Sequence, residues 1–147
     1  MPLAERLLQH EGLRLQVYDD ATGADIRPGT RVIGNPTIGI GTLLSAPGGI
    51  TKAEARLLLE NRLAIATEDV DRLVPGLAAS DPVRFGVLVE MAFQMGGAGL
   101  AKFKNTLQAV RDRRWSDAAD GMLSSAWATQ TPGRAKALAE VMRSGVE

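Results

Sequence analysis

Two acidic residues and one threonine in the first forty positions have the types and spacing that could hydrolyse a glycosidic bond. Glu11 follows an apolar segment of helical period, Asp20 ends a segment of strand period, and Thr37 begins a glycine-punctuated stretch. Such hydrolysis needs one protonated carboxyl group for the leaving oxygen and one ionised carboxylate that activates water or attacks the sugar. Glu11 and Asp20 are therefore candidates for these two roles.

The surroundings of the two carboxylates suggest how the roles divide. We expect Glu11 to be partly desolvated by its apolar helix, an environment suited to a proton donor. Asp20 lies beside turn residues, where solvent suits an ionised group. Asp19 is the competing candidate, but successive strand residues point to opposite faces, so only one of the two aspartates can face a given cleft.

The elements that must position these residues follow from hydrophobic period and capping signals. Alternation predicts a strand near 13–18, and residues 21–36 have the composition of turns and an extended loop. Thr37 to Leu44 is predicted to be one strand with a bare face at Gly39 and Gly41. Thr51 and Glu54 form a capping-box pattern. Helices are predicted over 2–10, 51–73, 81–95, 100–103, 106–111, 116–123 and 132–142.

This order of elements predicts an α+β fold. We expect a small β-rich lobe at about 12–50 and a linking helix at about 51–73. A larger all-helical lobe would comprise about 76–147 plus 1–11. At 147 residues the chain is long enough for one well-packed domain and short for two.

Composition excludes several other chemistries. The chain has no cysteine and one histidine, His10, so thiol catalysis and a zinc site of histidine and cysteine ligands are not expected. We expect no metal and no cofactor. The net charge of zero gives no attraction to nucleic acid. No stretch approaches the ~20 apolar residues that span a bilayer, so we expect no stable membrane insertion.

Three blocks of sequence, in order along most of the chain, resemble the phage-type lysozymes, the glycoside hydrolase family of bacteriophage endolysins. The first is EGLRL at 11–15 with Tyr18 and Asp20, followed by TIGIG at 37–41. The second is MAFQMG at 91–96, and the third is RWSDAA at 114–119 followed by WATQTPGRA at 127–135. The resemblance implies a lysozyme-like version of the α+β fold.

The resemblance also implies roles for individual residues. Glu11 would be the general acid, Asp20 would activate water on the far face of the sugar, and Thr37 would help hold that water. Gln94 and Arg134 would lie near Glu11 as substrate-binding residues. Gln94 could instead be a buried amide that satisfies backbone groups, and Arg134 could lie on a solvated helix face.

The implied reaction is cleavage of the β-1,4 bond between N-acetylmuramic acid and N-acetylglucosamine in peptidoglycan, by an inverting route. Two alternatives stay open: a lytic transglycosylase that leaves anhydro-sugar ends, and a non-catalytic glycan-binding module of the same fold. The sequence start has no signal-peptide pattern. We expect a monomer. Without an export signal, it would reside in the host cytoplasm until lysis and would need a pore made by another protein to reach the periplasmic wall.

One segment departs from the family pattern. Residues 25–36 resemble an insertion, and we expect an exposed loop beside the glycan cleft with few groups that pack. Arg27 and Arg31 in this loop could meet acidic groups of the peptide stems. Trp115 and Trp127, farther along the chain, are expected in the core of the helical lobe.

Overall fold

The computed structural model describes residues 2–147, and over this range it contains nine helices and one three-stranded antiparallel sheet, which confirms the predicted α+β class. The elements in chain order are α1 (Leu3–Glu11), β1 (Arg14–Asp19), β2 (Pro36–Gly39), β3 (Thr42–Leu43), α2 (Lys52–Leu73), α3 (Leu77–Ser80), α4 (Pro82–Met95), α5 (Gly97–Leu100), α6 (Lys104–Arg111), α7 (Trp115–Leu123), α8 (Ala126–Gln130) and α9 (Pro132–Ser144).

The chain divides into two compact units, one ending at Arg56 and the other running from Leu57 to Glu147. The boundary falls inside α2, so the sheet and α1 belong to the first unit and α3 to α9 to the second. The lobes drawn from the sequence stay a prediction.

The sheet has the order β1-β2-β3, so β2 is its middle strand. Thr37 in β2 pairs with Tyr18 on one side and Leu43 on the other. The predicted single strand from 37 to 44 is wrong, because the chain reverses at residues 39–41. Gly39 and Gly41 both have positive φ, which suits a tight reversal between antiparallel strands. The predicted bare face of glycines therefore does not form.

The predicted capping box at the start of α2 is confirmed. The backbone N–H of Glu54 donates to the hydroxyl of Thr51 at 3.2 Å, and the backbone N–H of Thr51 donates to Oε2 of Glu54 at 2.7 Å. The reciprocal pair satisfies two N–H groups that have no partner inside the helix. The backbone N–H of Thr51 and also its hydroxyl, which donates to Oε2 of Glu54 at 2.8 Å, hold the pKa of Glu54 below its ordinary value.

The core of the second unit forms around α4, α7 and α9. Leu88 and Met91 of α4 are fully buried. Four buried alanines let α7 and α9 pack closely: Ala118, Ala119, Ala135 and Ala139. Trp127 is buried in this core and Trp115 packs partly buried against it, which confirms the placement expected for both tryptophans.

The short helices of the second unit differ from the prediction. Helices α3 and α8 were not predicted, and α5 begins at Gly97 rather than near residue 100. These helices have four or five residues, too few to show a helical period in the sequence. Their formation depends on packing of buried residues such as Leu77 and Leu100.

Candidate active site

Glu11 is the last residue of α1, and its carboxylate lies beside the turn between β2 and β3. A Cβ atom on Gly41 in that turn would lie 3.2 Å from Oε2 of Glu11, which is tighter than an ordinary contact. The partial desolvation expected for Glu11 is not found, because its side chain is exposed. No residue of α1 is buried, so this helix does not shield its own last turn.

Asp20 lies in the turn after β1 and is exposed, as expected. One residue holds both of its carboxylate oxygens. The backbone N–H of Asn35 donates to Oδ1 of Asp20 at 2.7 Å, and the side-chain amide of Asn35 donates to Oδ2 at 3.1 Å. The sequence therefore placed Asp20 at a turn correctly, but gave no sign of what orients its carboxylate.

Thr37 is buried in the middle strand, with 5% of its surface exposed. Its hydroxyl donates to the backbone carbonyl of Asn35 at 3.2 Å. The same carbonyl accepts the backbone N–H of Asp20 at 3.1 Å. Asn35 thus connects the candidate base to the residue expected to hold water.

Asp19, the competing aspartate, is buried, with only 2% of its surface exposed. Its carboxylate accepts backbone N–H groups from Ile33 at 2.6 Å, from Gly34 at 2.9 Å and from Ala21 at 3.0 Å. The N–H of Ile33 above all holds the pKa of Asp19 below its ordinary value, against the opposing effect of burial. Asp19 is therefore an ionised anchor for the segment that also holds Asp20.

The expectation that residues 25–36 form a loop with few packing groups is wrong at both ends of the segment. At its start, Asp25 pairs with Tyr18 of β1 and accepts a hydrogen bond from the guanidinium of Arg14 at 2.8 Å. At its end, the backbone of residues 33–35 binds Asp19 and Asp20. Between these ends, residues 27–31 are exposed, as expected.

Gly34 shows how closely this segment approaches the aspartates. A Cβ atom on Gly34 would overlap the carboxylate of Asp20 and the backbone of Ala21. Sequence reasoning missed both Gly34 and Asn35, because their partners lie about fifteen positions earlier in the chain. Local patterns carry no signal at that separation.

Gln94 and Arg134, the predicted substrate-binding residues, belong to the second unit. Gln94 lies near the end of α4 and is exposed, so the alternative of a buried amide is wrong. Its side-chain oxygen accepts the indole N–H of Trp127 at 2.8 Å. Arg134 lies on an exposed part of α9 and forms no ion pair with any residue from 2 to 147. Their roles in substrate binding stay predictions.

Over residues 2–147, no group of three or more acidic or histidine side chains is arranged to hold a metal ion. Within the same range, no helix combines the length and the apolar character needed to cross a membrane.

Comparison with known proteins gives matches along nearly the whole chain. This chain is 33% identical to the pre-baseplate central spike protein Gp5 of Enterobacteria phage T4, over 99% of this chain and 28% of that protein. It is 32% identical to the probable T4-type lysozyme 1 of Dictyostelium discoideum, over 65% of this chain and 58% of the relative. It is also 32% identical to the peptidoglycan hydrolase gp36 of Pseudomonas phage phiKMV, over 94% of this chain and 15% of that protein.

The chain thus spans less than two thirds of the length of each of these three relatives. A family model described as phage lysozyme matches residues 8–143, a range that includes every candidate site residue named above. This match confirms the family resemblance that the three sequence blocks indicate. The chain therefore belongs to the phage lysozyme family.

Proposed function

We propose that this protein is a muramidase that hydrolyses the β-1,4 bond between N-acetylmuramic acid and N-acetylglucosamine in bacterial peptidoglycan. Family membership supports the substrate class, as does similarity to a relative that is named a peptidoglycan hydrolase. The observation that carries the proposal is the arrangement around Asp20. An exposed carboxylate is held at both oxygens by Asn35, which also binds the hydroxyl of Thr37.

In the proposed reaction, Glu11 donates its proton to the oxygen that leaves with N-acetylglucosamine. Asp20 accepts a proton from a water molecule while the water oxygen attacks C1 of N-acetylmuramic acid from the opposite face. The products are a new reducing end and a free 4-hydroxyl group. This is the inverting route, which needs room for water between carboxylates about 6.5–9.5 Å apart.

Thr37 is suited to hold the attacking water. Its hydroxyl hydrogen is committed to the carbonyl of Asn35, so its oxygen lone pairs remain available to accept a hydrogen bond. A water molecule oriented in this way would present its other hydrogen to Asp20. The nucleophile is then positioned by two residues that share one partner.

The decisive experiment is digestion of purified peptidoglycan followed by mass analysis of the sugar ends. Reducing N-acetylmuramic acid ends support the muramidase, anhydro ends identify a lytic transglycosylase, and glycan binding without products identifies a non-catalytic module. The anomeric form of the first product, measured by NMR before it equilibrates, separates the inverting route from the retaining one.

Two substitutions assign the carboxylates in the same assay. Glu11→Gln removes the transferable proton and should lower kcat by about 10²–10⁴-fold, the usual contribution of general acid catalysis. Glu5→Gln is the matched control, because Glu5 is an exposed carboxylate on the same helix. Asp20→Asn should be comparably impaired if Asp20 is the base. A Glu11→Gln protein that keeps more than about a tenth of wild-type activity would contradict the acid assignment.

We further propose a role in host lysis, in which a separate pore-forming protein admits the enzyme to the wall. Expression of the chain alone should leave a bacterial culture intact, whereas co-expression with a pore-forming protein should clear it. Glu11→Gln with the same pore protein is the control. Lysis by the chain alone would show that it reaches the wall by another route.

A further inference from the structure

We infer that Asn35 is a positioning residue for the reaction and acts by holding the carboxylate of Asp20 toward the attacking water. This inference rests on the proposed function, since it assigns Asp20 the part of the base. Asn35 lies at the end of the segment that departs from the family pattern, and none of the sequence motifs includes it.

The contact between the two residues fixes direction as well as distance. Oδ1 of Asp20 accepts the backbone N–H of Asn35 at 2.7 Å, and Oδ2 accepts its side-chain amide at 3.1 Å. A carboxylate bound at both oxygens by one residue cannot rotate about its terminal bond without losing a hydrogen bond. Hydrogen bonds to an ionised acceptor are stronger than neutral ones. Asp20 is exposed, so without this contact its side chain would be free to move.

Asn35 itself is held in place from two sides. Its backbone carbonyl accepts both the N–H of Asp20 and the hydroxyl of Thr37. Immediately before it, the N–H groups of Ile33 and Gly34 donate to the buried carboxylate of Asp19. The side-chain amide of Asn35 therefore projects from anchored backbone, which is what a positioning group requires.

The polarity of Asn35 distinguishes positioning from simple space filling. Aspartate has nearly the same shape as asparagine but would place a second carboxylate where the amide now donates, 3.1 Å from Oδ2 of Asp20. Alanine removes the side-chain donor and leaves the backbone contacts intact. If Asn35 only fills space, Asn35→Asp should be milder than Asn35→Ala. If Asn35 holds the base, the order is reversed.

The test measures kcat and KM on soluble peptidoglycan fragments for wild type, Asn35→Ala and Asn35→Asp, with thermal unfolding of each. We expect Asn35→Ala to lower kcat about tenfold with KM unchanged, because the variant loses one hydrogen bond to a charged group. Asn35→Asp should be lower again by about tenfold, because like charges repel at this distance. Asn61→Ala and Asn61→Asp are the matched controls on an exposed position of α2, and both should behave as wild type.

A swapped pair checks that the effect passes through Asp20. In the Asp20→Asn/Asn35→Asp double variant the amide and the carboxylate exchange places, so the side-chain hydrogen bond can form with reversed direction. The double variant should regain the thermal stability that Asn35→Asp loses, while its kcat stays as low as that of Asp20→Asn. A double variant that is no more stable than Asn35→Asp would overturn the direct contact.

The outcomes separate this inference from the proposed function. If wild type releases reducing muramic acid ends and Asn35→Ala keeps wild-type kcat, the inference is wrong and the muramidase stands. If Asn35→Asp is more active than Asn35→Ala, the side chain only fills space, and the inference is again wrong. If wild type produces no reducing ends, the proposed function fails and the inference fails with it. Should Asn35→Asp not fold, the kcat of Asn35→Ala decides alone.

Discussion

Gly41 lies so close to Glu11 that a methyl group in place of its hydrogen would sit 3.2 Å from the carboxylate oxygen Oε2. The φ of Gly41 is +73°, a conformation that residues with a side chain adopt at a cost. At Gly41, the hairpin turn between β2 and β3 therefore presents only backbone atoms to the carboxylate of Glu11. Space and backbone conformation both favour glycine at this position.

Gly41→Ala should lower activity more than its effect on stability explains. The added methyl group would push on the carboxylate of Glu11, and displacing an acid by a fraction of an ångström weakens proton transfer to the leaving group. Gly29→Ala is the matched control, because Gly29 has a φ of +86° and an added methyl group there would have no neighbouring atom within 4 Å. Both variants should lose about 1–2 kcal/mol of unfolding free energy.

The measurement is kcat on peptidoglycan together with the thermal midpoint of both glycine variants. We expect only Gly41→Ala to lose activity at a temperature where both proteins are folded. Equal activity in the two variants would show that the carboxylate of Glu11 moves aside without consequence.

Asp19→Asn should destabilise the first unit at neutral pH. The buried carboxylate accepts several backbone N–H groups, and an amide in its place would turn a donor toward one of them. Because the same segment carries Asn35, activity should fall as well. The burial of Asp19 is the reason to expect more than the mild effect of replacing a surface aspartate.

The pH dependence of stability tests the same anchor. The pKa of Asp19 is lower in the folded protein than its ordinary value of 3.8, so its contribution is present above that value and is lost as pH falls below it. Between about pH 4 and the lowered pKa, the thermal midpoint should fall less steeply in Asp19→Asn than in wild type. Asp71→Asn, at an exposed position of α2, should follow the wild-type curve. Parallel curves for Asp19→Asn and wild type would contradict an ionised anchor.

Gln94 and Trp127 should show coupled energetics, because the indole N–H donates directly to the side-chain oxygen at 2.8 Å. The effects of Gln94→Leu and Trp127→Phe on unfolding free energy should be non-additive by about 0.5–1 kcal/mol in a double-mutant cycle. Gln94→Leu paired with Trp115→Phe is the control cycle and should be additive. If Gln94 also binds substrate, Gln94→Leu should raise KM while kcat changes little.

Arg27 and Arg31 should contribute binding to intact cell walls through charge. Both side chains are exposed, and neither forms an ion pair with another residue of the range 2–147. The double variant Arg27→Gln/Arg31→Gln should raise KM on intact walls and leave kcat unchanged. Lys52→Gln/Arg56→Gln removes the same charge from exposed positions of α2 and should leave KM unchanged.

Added salt gives a second check on these arginines, because the Debye length falls from about 10 Å at 0.1 M to about 3 Å at 1 M. Wild type should lose more activity with salt than the Arg27→Gln/Arg31→Gln variant. Identical salt profiles would mean that the two arginines do not meet the wall. Replacing the two arginines tests their charge alone. A deletion of residues 25–36 would also remove Asn35 and the backbone contacts to Asp19.

The sequence by itself determined the features that depend on neighbours along the chain. The capping box of Thr51 and Glu54, the end of α1 at Glu11 and the exposed turn at Asp20 all follow from groups a few positions apart. Helical period located α2 and α4 because each is long enough to repeat its apolar face several times. The family blocks also include Glu11 and Asp20, and the resemblance that they carry is confirmed at the level of the family.

The tertiary structure decided what depends on residues far apart in the chain. Alternation predicts that only one of Asp19 and Asp20 faces a given cleft, but only the approach of residues 33–35 makes Asp19 buried while Asp20 stays exposed. Only strand pairing distinguishes the hairpin at 39–41 from a continuous strand, because two glycines spaced by two can lie on one strand face or flank a turn. Asn35 is identified as the partner of Asp20 only by the tertiary structure, which brings together residues fifteen positions apart. A hydrogen bond between such distant residues leaves no local pattern in the sequence.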